Sequence, residues 1–347
     1  MSRMNIKPTK KGMVQYFDGP AADRSTVGYY GTAQEIPWVP KQFDAIVHPG
    51  ESIQEAIDKV ANLNYYSYDF YASNIGIMPG DYEEDLTLPS LWHMTSLTWL
   101  GDWMWGENAN PMYTNNGKIT GNISAPLEST FWFNGLPLVG TAGGAAVIIV
   151  EEYYNRNVLQ GCRIAGVEDQ TLFSASCDIS YSQLDTQYNS FFASGSAEYM
   201  DINGSKNFYL NMGESYFKSI DGGAVSGKLR FTNTGAKTFC IVRSYLETGH
   251  ADSSLIYLSD NDTYYLRDNE IVIPDGAGSK LFVFQPATTS KIYMNQCYCH
   301  NESGGVAATE AISGSSGTVL YGGNQFDNGT NTKSAGVTAT ALTDTIV

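Results

Sequence analysis

A short amphipathic helix followed by short strands is the first clear pattern of hydrophobic and polar positions in this chain. Apolar residues recur every three or four positions, at Ile53, Ala56, Ile57, Val60 and Ala61. This spacing predicts one apolar stripe on a helix over residues 52–61. Ser52 and Glu55, three residues apart, predict a capping box at its first turn. We expect the helix to cover the open end of a β-structure.

From residue 157 onward, an irregular repeat predicts a solenoid. In its eight-residue template, the first, third and eighth positions are apolar, and the sixth is a small residue or Asn. The remaining positions vary. The small position is assigned to Cys162, Ser182, Ser215, Ser244, Asn269, Cys297 and Asn324. Period-two alternation turns one set of side chains inward, and the small residue marks a tight bend between two strands. An Asn at this bend also tolerates left-handed backbone.

Two outward-facing columns carry the candidate chemistry. The column before the small position contains Glu214, Arg243, Asp268 and Gln296, and the column after it contains Tyr216, Tyr245, Glu270 and Tyr298. Two coils separate Glu214 from Asp268, roughly 9–10 Å, near the upper end of the range for inverting glycosidases. The alternative is a solvated ladder in which Arg243 neutralises both acids. The tyrosines favour a surface that binds sugars without cleaving them.

Residues 102–144 are predicted to be an irregular, aromatic-rich insertion. If Trp103 and Trp105 are exposed, they offer ring faces on which a sugar can stack. If they are buried, they cover the flank of the first coils, which is the commoner fate of large aromatic residues.

One resemblance gives these patterns a fold. The run Ser-Ile-Gln-Glu-Ala-Ile at 52–57, the turn Pro-Gly-Asp-Tyr at 79–82 and the strand Leu-Thr-Trp-Leu-Gly at 97–101 resemble the N-terminal part of the pectate-lyase-like family. This family includes pectin-degrading enzymes and many bacteriophage tailspikes. The resemblance implies an all-β fold, a right-handed parallel β-helix with an N-terminal capping helix, and a homotrimer where the protein is a spike. The catalytic signatures of the family's enzymes, such as Asp-Asp with a following His-Gly, are mostly missing.

Composition narrows the functional classes. The chain has 347 residues, and 20 basic against 36 acidic residues give a net charge of −16, which argues against nucleic-acid binding. Because no apolar run is long enough for a membrane span and no secretory leader is present, we expect synthesis in a cytoplasm and no membrane insertion.

The five cysteines suggest no disulfide framework, and Cys297 and Cys299 are expected to point into the core. Neither a metal nor a cofactor is predicted.

The chain is expected to have three parts. Residues 1–45 form an arm with one strand at 13–17, residues 46–330 form the β-helix, and residues 331–347 supply a closing strand. The arm, which is rich in aromatic residues, is predicted to attach the protein to other virion proteins.

The predicted function is that of a bacteriophage virion structural protein, either a tailspike or fibre or a decoration on the capsid surface. Its β-helix flank would face host glycan or neighbouring virion proteins. The candidate glycan-binding residues are Arg243, Tyr216, Tyr245, Tyr298, Trp103 and Trp105. The alternative is a polysaccharide depolymerase, a hydrolase or lyase, with Glu214 and Asp268 as its acids; the sequence favours the non-enzymatic function.

Overall fold

Three parallel sheets wind into a right-handed β-helix, as the sequence predicts. The computed structural model describes residues 5–8, 14–18, 25–26, 43–64, 72–90, 94–115, 117–127, 129–151, 155–178, 182–222, 228–232, 235, 237–249, 254–258, 262–274, 280–284, 289–301, 311–327, 330 and 332–341. A separate antiparallel sheet contains β1 (Asn5–Pro8), β2 (Val14–Asp18) and β3 (Ser25–Thr26). The strand predicted at 13–17 is therefore confirmed as β2.

The largest sheet of the β-helix, sheet I, has 12 strands. They are β4 (Ala45–Val47), β5 (Ala72–Ile77), β8 (Met94–Trp99), β11 (Thr130–Asn134), β14 (Asn155–Gln160), β17 (Ser182–Gln187), β20 (Phe208–Gly213), β23 (Lys237–Val242), β26 (Asp262–Arg267), β29 (Lys291–Asn295), β32 (Thr318–Gly322) and β34 (Thr338–Ala341). The predicted closing strand is confirmed as β34, which pairs in parallel with β32.

The other two sheets have 10 and 9 strands. Sheet II contains β6 (Asp81–Glu83), β9 (Lys118–Thr120), β12 (Pro137–Val139), β15 (Arg163–Ala165), β18 (Ser190–Gly195), β21 (Tyr216–Gly222), β24 (Tyr245–Glu247), β27 (Glu270–Ile273), β30 (Tyr298–Asn301) and β33 (Gln325–Phe326). Sheet III contains β7 (Leu86–Thr87), β10 (Ile123–Ala125), β13 (Ala146–Val150), β16 (Thr171–Cys177), β19 (Met200–Gly204), β22 (Leu229–Phe231), β25 (Ser254–Leu258), β28 (Lys280–Phe284) and β31 (Ile312–Gly314). Each coil passes from sheet I to II to III.

The helix α1 (Ile53–Asn64) closes the N-terminal end of the solenoid. Ile53, Ile57 and Val60 are buried, which confirms the predicted stripe. The Oγ of Ser52 accepts a hydrogen bond from the Glu55 N–H at 3.1 Å, so the first half of the capping box is confirmed. The carboxylate at the helix start is that of Glu84, which accepts from the Ile53 N–H at 2.6 Å and the Ser52 hydroxyl at 2.7 Å. The cap is thus tied to the first coil.

The core is a continuous stack of apolar side chains along the axis. Aromatic rings on successive coils lie face to face, for example Phe239 on Tyr264 at 4.3 Å between centroids and Phe191 on Phe217 at 4.5 Å. Cys297 and Cys299 are buried and free, in agreement with their predicted place in the core. The interior also contains polar groups, among them an ion pair between Lys237 and Asp262, 2.8 Å apart and fully buried.

The corner between sheets I and II has the same two-residue form in eight coils. The first residue of each pair has a left-handed backbone; these residues, the corner row, are Gly135, Gly161, Tyr188, Glu214, Arg243, Asp268, Gln296 and Gly323, with φ between 48° and 72°. The sequence allowed a left-handed backbone at an Asn in the small position, but the residue before it adopts that backbone instead. The corner-row side chain points to solvent, whereas the small side chain that follows turns inward.

An Asn at the small position ties its coil to the one before it. The Oδ1 of Asn269 accepts from the Ser244 N–H at 2.9 Å, and its Nδ2 donates to the Ile241 carbonyl at 2.8 Å. Asn189 makes the equivalent bonds to Cys162 and Leu159. Asn189, not Ser182, therefore occupies this column.

The predicted irregular insertion is shorter than residues 102–144. The strands β9 to β12 occupy most of 118–139, and Phe131 and Phe133 lie in the core. Residues 102–115 remain irregular, apart from one 3-10 turn at Glu107–Ala109. Among the described residues, no helix is long and apolar enough to cross a membrane.

Candidate functional site

The irregular segment 102–115, here called the strap, lies across the outer face of sheet II. The Gly106 N–H donates to the Ser190 hydroxyl at 3.1 Å, and Glu107 pairs with Lys218 at 3.0 Å. Ala109 is fully buried in a small apolar cluster with Phe192 and Tyr216. The strap therefore covers the outer face as far along the axis as β21.

The strap holds two tryptophans beside the corner row. Trp103 is 61% exposed and lies edge-on to Tyr188, with 6.1 Å between ring centroids. The Trp105 Nε1 donates to the Glu214 carbonyl at 2.8 Å, and the side chain is 44% exposed. Tyr188 is 37% exposed. These three side chains, Trp103, Tyr188 and Trp105, together form a surface that is here called the corner platform. Its rings are exposed to solvent, and the contacts just described hold them in place.

Gly161 is the residue that lets Trp103 lie so close to the corner. Its φ is +65°, and a Cβ added there would stand 2.5 Å from the Trp103 Nε1. A side chain at this position would be strained and would displace the ring. The neighbouring corner residue Tyr188 is held differently, because its hydroxyl donates to the Glu214 carboxylate, and this bond raises the pKa of the phenol.

The two acids predicted as candidates have different arginine partners. Glu214 pairs with Arg243 at 2.7 Å, whereas Asp268 pairs with Arg267 at 3.2 Å. Arg243 therefore pairs with Glu214, as the expected ladder requires, but Asp268 has a different arginine partner. All four side chains lie at or beside the corner, on three successive coils.

The predicted column of Tyr216, Tyr245, Glu270 and Tyr298 is in register, but Glu270 interrupts its tyrosines and the rings are unevenly exposed. Tyr216 and Tyr245 stack at 4.7 Å, and Tyr216 is only 9% exposed because it lies beneath Trp105. Burial raises the pKa of Tyr216 to about 12, and burial followed by a hydrogen bond to Glu247 raises that of Tyr245. Tyr298 donates to Asp327 at 2.8 Å. All three phenols are donors at neutral pH.

Arg163 is a buried cation that sequence analysis did not single out. It faces outward from β15 but is 1% exposed, because the strap covers it. Its Nη1 contacts the Met104 sulfur at 3.3 Å, and its Nη2 has no hydrogen-bond partner among the described residues. Burial lowers the pKa of this guanidinium.

Glu198, just before β19 of sheet III, is a second residue that the sequence did not identify. Burial, followed by the charge of Asp201, raises its pKa to about 7, although Arg230 lies 3.4 Å from its Oε1. Nothing in the local sequence signals this, because the burial arises from packing between coils. In the described part of the chain, no group of three or more His, Cys, Asp and Glu side chains is placed to hold a metal ion.

Comparisons with known proteins give little beyond this geometry. No protein-family model matches the chain, and no curated protein matches it. The crystal structure of Escherichia coli YbhC is similar over 85% of this chain and 76% of its own, with 13% sequence identity and a TM-score of 0.30. Neither fold nor function can be argued from so low a score. The fold assignment rests on the pairing of the strands themselves.

Proposed function

We propose that this protein is a bacteriophage virion-surface β-helix that binds a host surface polysaccharide without cleaving it. The observation that carries the proposal is the corner platform. Trp103, Tyr188 and Trp105 keep exposed ring faces while hydrogen bonds and packing hold them in place. Rigid aromatic side chains lose little conformational entropy on binding, so they can contact a ligand along the axis at a low entropic cost.

The virion part of the proposal is supported by the sequence resemblance to tailspikes and by the aromatic-rich arm before residue 45. A tailspike, a fibre and a decoration on the capsid all fit this support, as does a homotrimer. A mass-spectrometric inventory of purified virions tests it directly. Absence of the chain from every virion protein band would contradict this part.

The binding part is tested by Trp103→Ala. Because Trp103 is mostly exposed, we expect the variant to fold normally and to lose about tenfold in affinity for the host polysaccharide. Tyr113→Ala is the matched control, since Tyr113 is an even more exposed ring (73%) on the same strap, away from the corner row. Equal loss of binding in both variants, or in neither, would contradict a role for the platform.

A polysaccharide depolymerase is the second candidate, and Glu198 is the observation that favours it. A carboxylic acid that keeps its proton near neutral pH is what a hydrolase needs as general acid. Glu214 and Asp268 are less suited, because they are more exposed than Glu198 and lie closer to their arginine partners, at 2.7 and 3.2 Å against 3.4 Å. Incubation with the host polysaccharide, followed by assays of reducing ends and of unsaturated uronates, separates binding from cleavage. Turnover that Glu198→Gln abolishes would favour the enzyme.

A further inference from the structure

The outer face of sheet II continues beyond the strap, and its side chains bear on the kind of saccharide bound. The strands β24, β27 and β30 carry Tyr245, Glu270, Tyr298 and His300, and Asp327 directly follows β33; these five residues are here called the distal face. The polar contacts of the strap described above reach as far as β21, and Tyr245 is the member of the distal face that packs against the apolar cluster around Ala109. Tyr298 and His300 stack at 4.5 Å with 18° between their planes, which gives a flat ring surface.

Each cation at this face already has a carboxylate partner. Arg243 pairs with Glu214, Arg267 with Asp268, and Lys218 with Glu107. His300 contacts Glu270 at 3.0 Å. Arg163 has a donor without a partner, but it lies under the strap and a ligand on the distal face does not reach it. The described part of the distal face therefore offers no free cation to an acidic sugar.

The sequence segments that follow β21, β24, β27 and β30 add acids but neither lysine nor arginine. Residues 222–227, 248–253, 274–279 and 302–310 contain four acidic residues, Asp252, Asp275, Glu302 and Glu310, but neither Lys nor Arg. With a net charge of −16 for the whole chain, the surrounding field repels polyanions at any but high ionic strength.

The groups that remain suit a neutral polyhydroxylated chain. Carboxylates accept hydrogen bonds from sugar hydroxyls, and Glu270 and Asp327 are two coils apart on one face. Their partners His300 and Tyr298 are neighbours on β30, so an axial chain would meet rings and acceptors together.

We infer that the bound saccharide is uncharged, and that the distal face, with Glu270, Tyr298 and Asp327, is a subsite that extends the corner platform. This inference rests on the glycan-binding function proposed above. An acidic chain would require a free arginine or lysine, since carboxylate and phosphate recognition depends on such donors.

A glycan array tests the inference with the full-length protein. The probes are printed neutral, uronate-bearing, sialylated and sulfated saccharides at physiological ionic strength. Binding confined to neutral saccharides is expected. Preferential binding of acidic saccharides would overturn the charge inference while leaving the proposed function intact, whereas no binding to any glycan would contradict both.

Variants of the distal face locate the subsite. Glu270→Gln and Asp327→Asn are each expected to weaken binding of the best neutral saccharide about tenfold. Glu83→Gln is the matched control, because Glu83 is an exposed acid on β6 of the same sheet, on the other side of the strap. The variant Glu270→Lys should gain binding to uronate-bearing saccharides. If Glu270→Gln and Glu83→Gln bind as the wild type does, the distal face is not a subsite.

Discussion

At the scale of single residues, Asn269 shows how one coil is held to the next. Its amide satisfies a backbone N–H and a backbone carbonyl of the preceding coil, both inside the solenoid. Such groups are costly when buried without a partner, so the side chain stabilises two coils at once. The inward turn of this position follows from the left-handed residue Asp268 before it.

We expect Asn269→Ala to lower the free energy of unfolding by about 2–4 kcal/mol, because it leaves two buried backbone groups unpaired. Urea denaturation followed by circular dichroism measures this. Asn211→Ala is the control, since Asn211 is on the outer face of β20 and bonds only weakly to Asp185 at 3.3 Å. A loss no larger in Asn269→Ala than in Asn211→Ala would show that the small position is not a structural tie.

Glu198 makes stability depend on pH. Burial raises its pKa from 4.5 to about 7, so the folded state keeps the proton to a higher pH than the unfolded chain does. This contribution to stability is complete below pH 4.5 and is lost as the pH rises through about 7. The nearby charges of Asp201, Arg230 and Lys228 act on the same group.

We therefore expect Glu198→Gln, which cannot ionise, to gain apparent melting temperature relative to the wild type between pH 5 and pH 8. The gain should be at least ~2 °C at pH 8, measured by differential scanning fluorimetry. Glu83→Gln, on the exposed surface, serves as control. If the difference between Glu198→Gln and wild type stays constant from pH 5 to pH 8, Glu198 does not titrate in this range.

At the scale of elements, the helix α1 covers the N-terminal end of the solenoid core. Its apolar stripe packs on the first coil, and Glu84 fixes its first turn. Without it, apolar side chains at the end of the solenoid and the unpaired edge of β4 would face water, which promotes association between copies.

Ile57→Asp is expected to detach α1 from the first coil and to cause aggregation, because it places an unpaired charge in a buried position. Size-exclusion chromatography with light scattering follows this. Lys59→Asp makes a charge change on the exposed side of the same helix and should remain soluble and unchanged in size. A soluble Ile57→Asp protein with a wild-type melting curve would show that α1 is dispensable.

Much of the fold was predictable because short-range patterns reflect it. The helix, the inward Cys pair and most of the small positions depend on spacing within a few residues. Ser182 was misassigned because its neighbours match the apolar template locally, although steps of 27 and 26 residues lead from Cys162 through Asn189 to Ser215. The sequence allowed a left-handed backbone at the small position because Asn tolerates it, whereas the solvent-facing Glu, Arg, Asp and Gln before that position adopt it here.

The candidate site was predictable only in part. The outward columns follow from the repeat, so Glu214, Arg243 and Tyr245 were found. The pairing of Asp268 with Arg267, the cover over Arg163 and the raised pKa of Glu198 depend on how the strap and neighbouring coils pack. Local sequence carries little of this information, because Met104 and Arg163 are 59 positions apart and Glu198 and Arg230 are 32 apart, and the adjacent pair Arg267 and Asp268 could equally have pointed apart.

At the scale of the whole molecule, the arm and the solenoid are expected to be separable. Deleting residues 1–39 removes β1 to β3 but no strand of the solenoid. The truncated protein should keep a cooperative melting transition and lose incorporation into phage particles, measured by the protein composition of particles assembled with it. A truncation of residues 2–4 is the control. Incorporation of the long truncation at wild-type occupancy would show that the arm is not the anchor.

The repeated corner also determines how insertions and deletions in the chain change the length of the solenoid. Arg243 and Asp268 occupy equivalent places 25 residues apart, so the chain between them makes one full layer. Loss or duplication of such a layer shortens or lengthens the rod by about 4.8 Å and leaves every other layer in register. A change of part of a layer turns core side chains outward. The distance between two sites along the axis can therefore evolve in fixed steps of one layer.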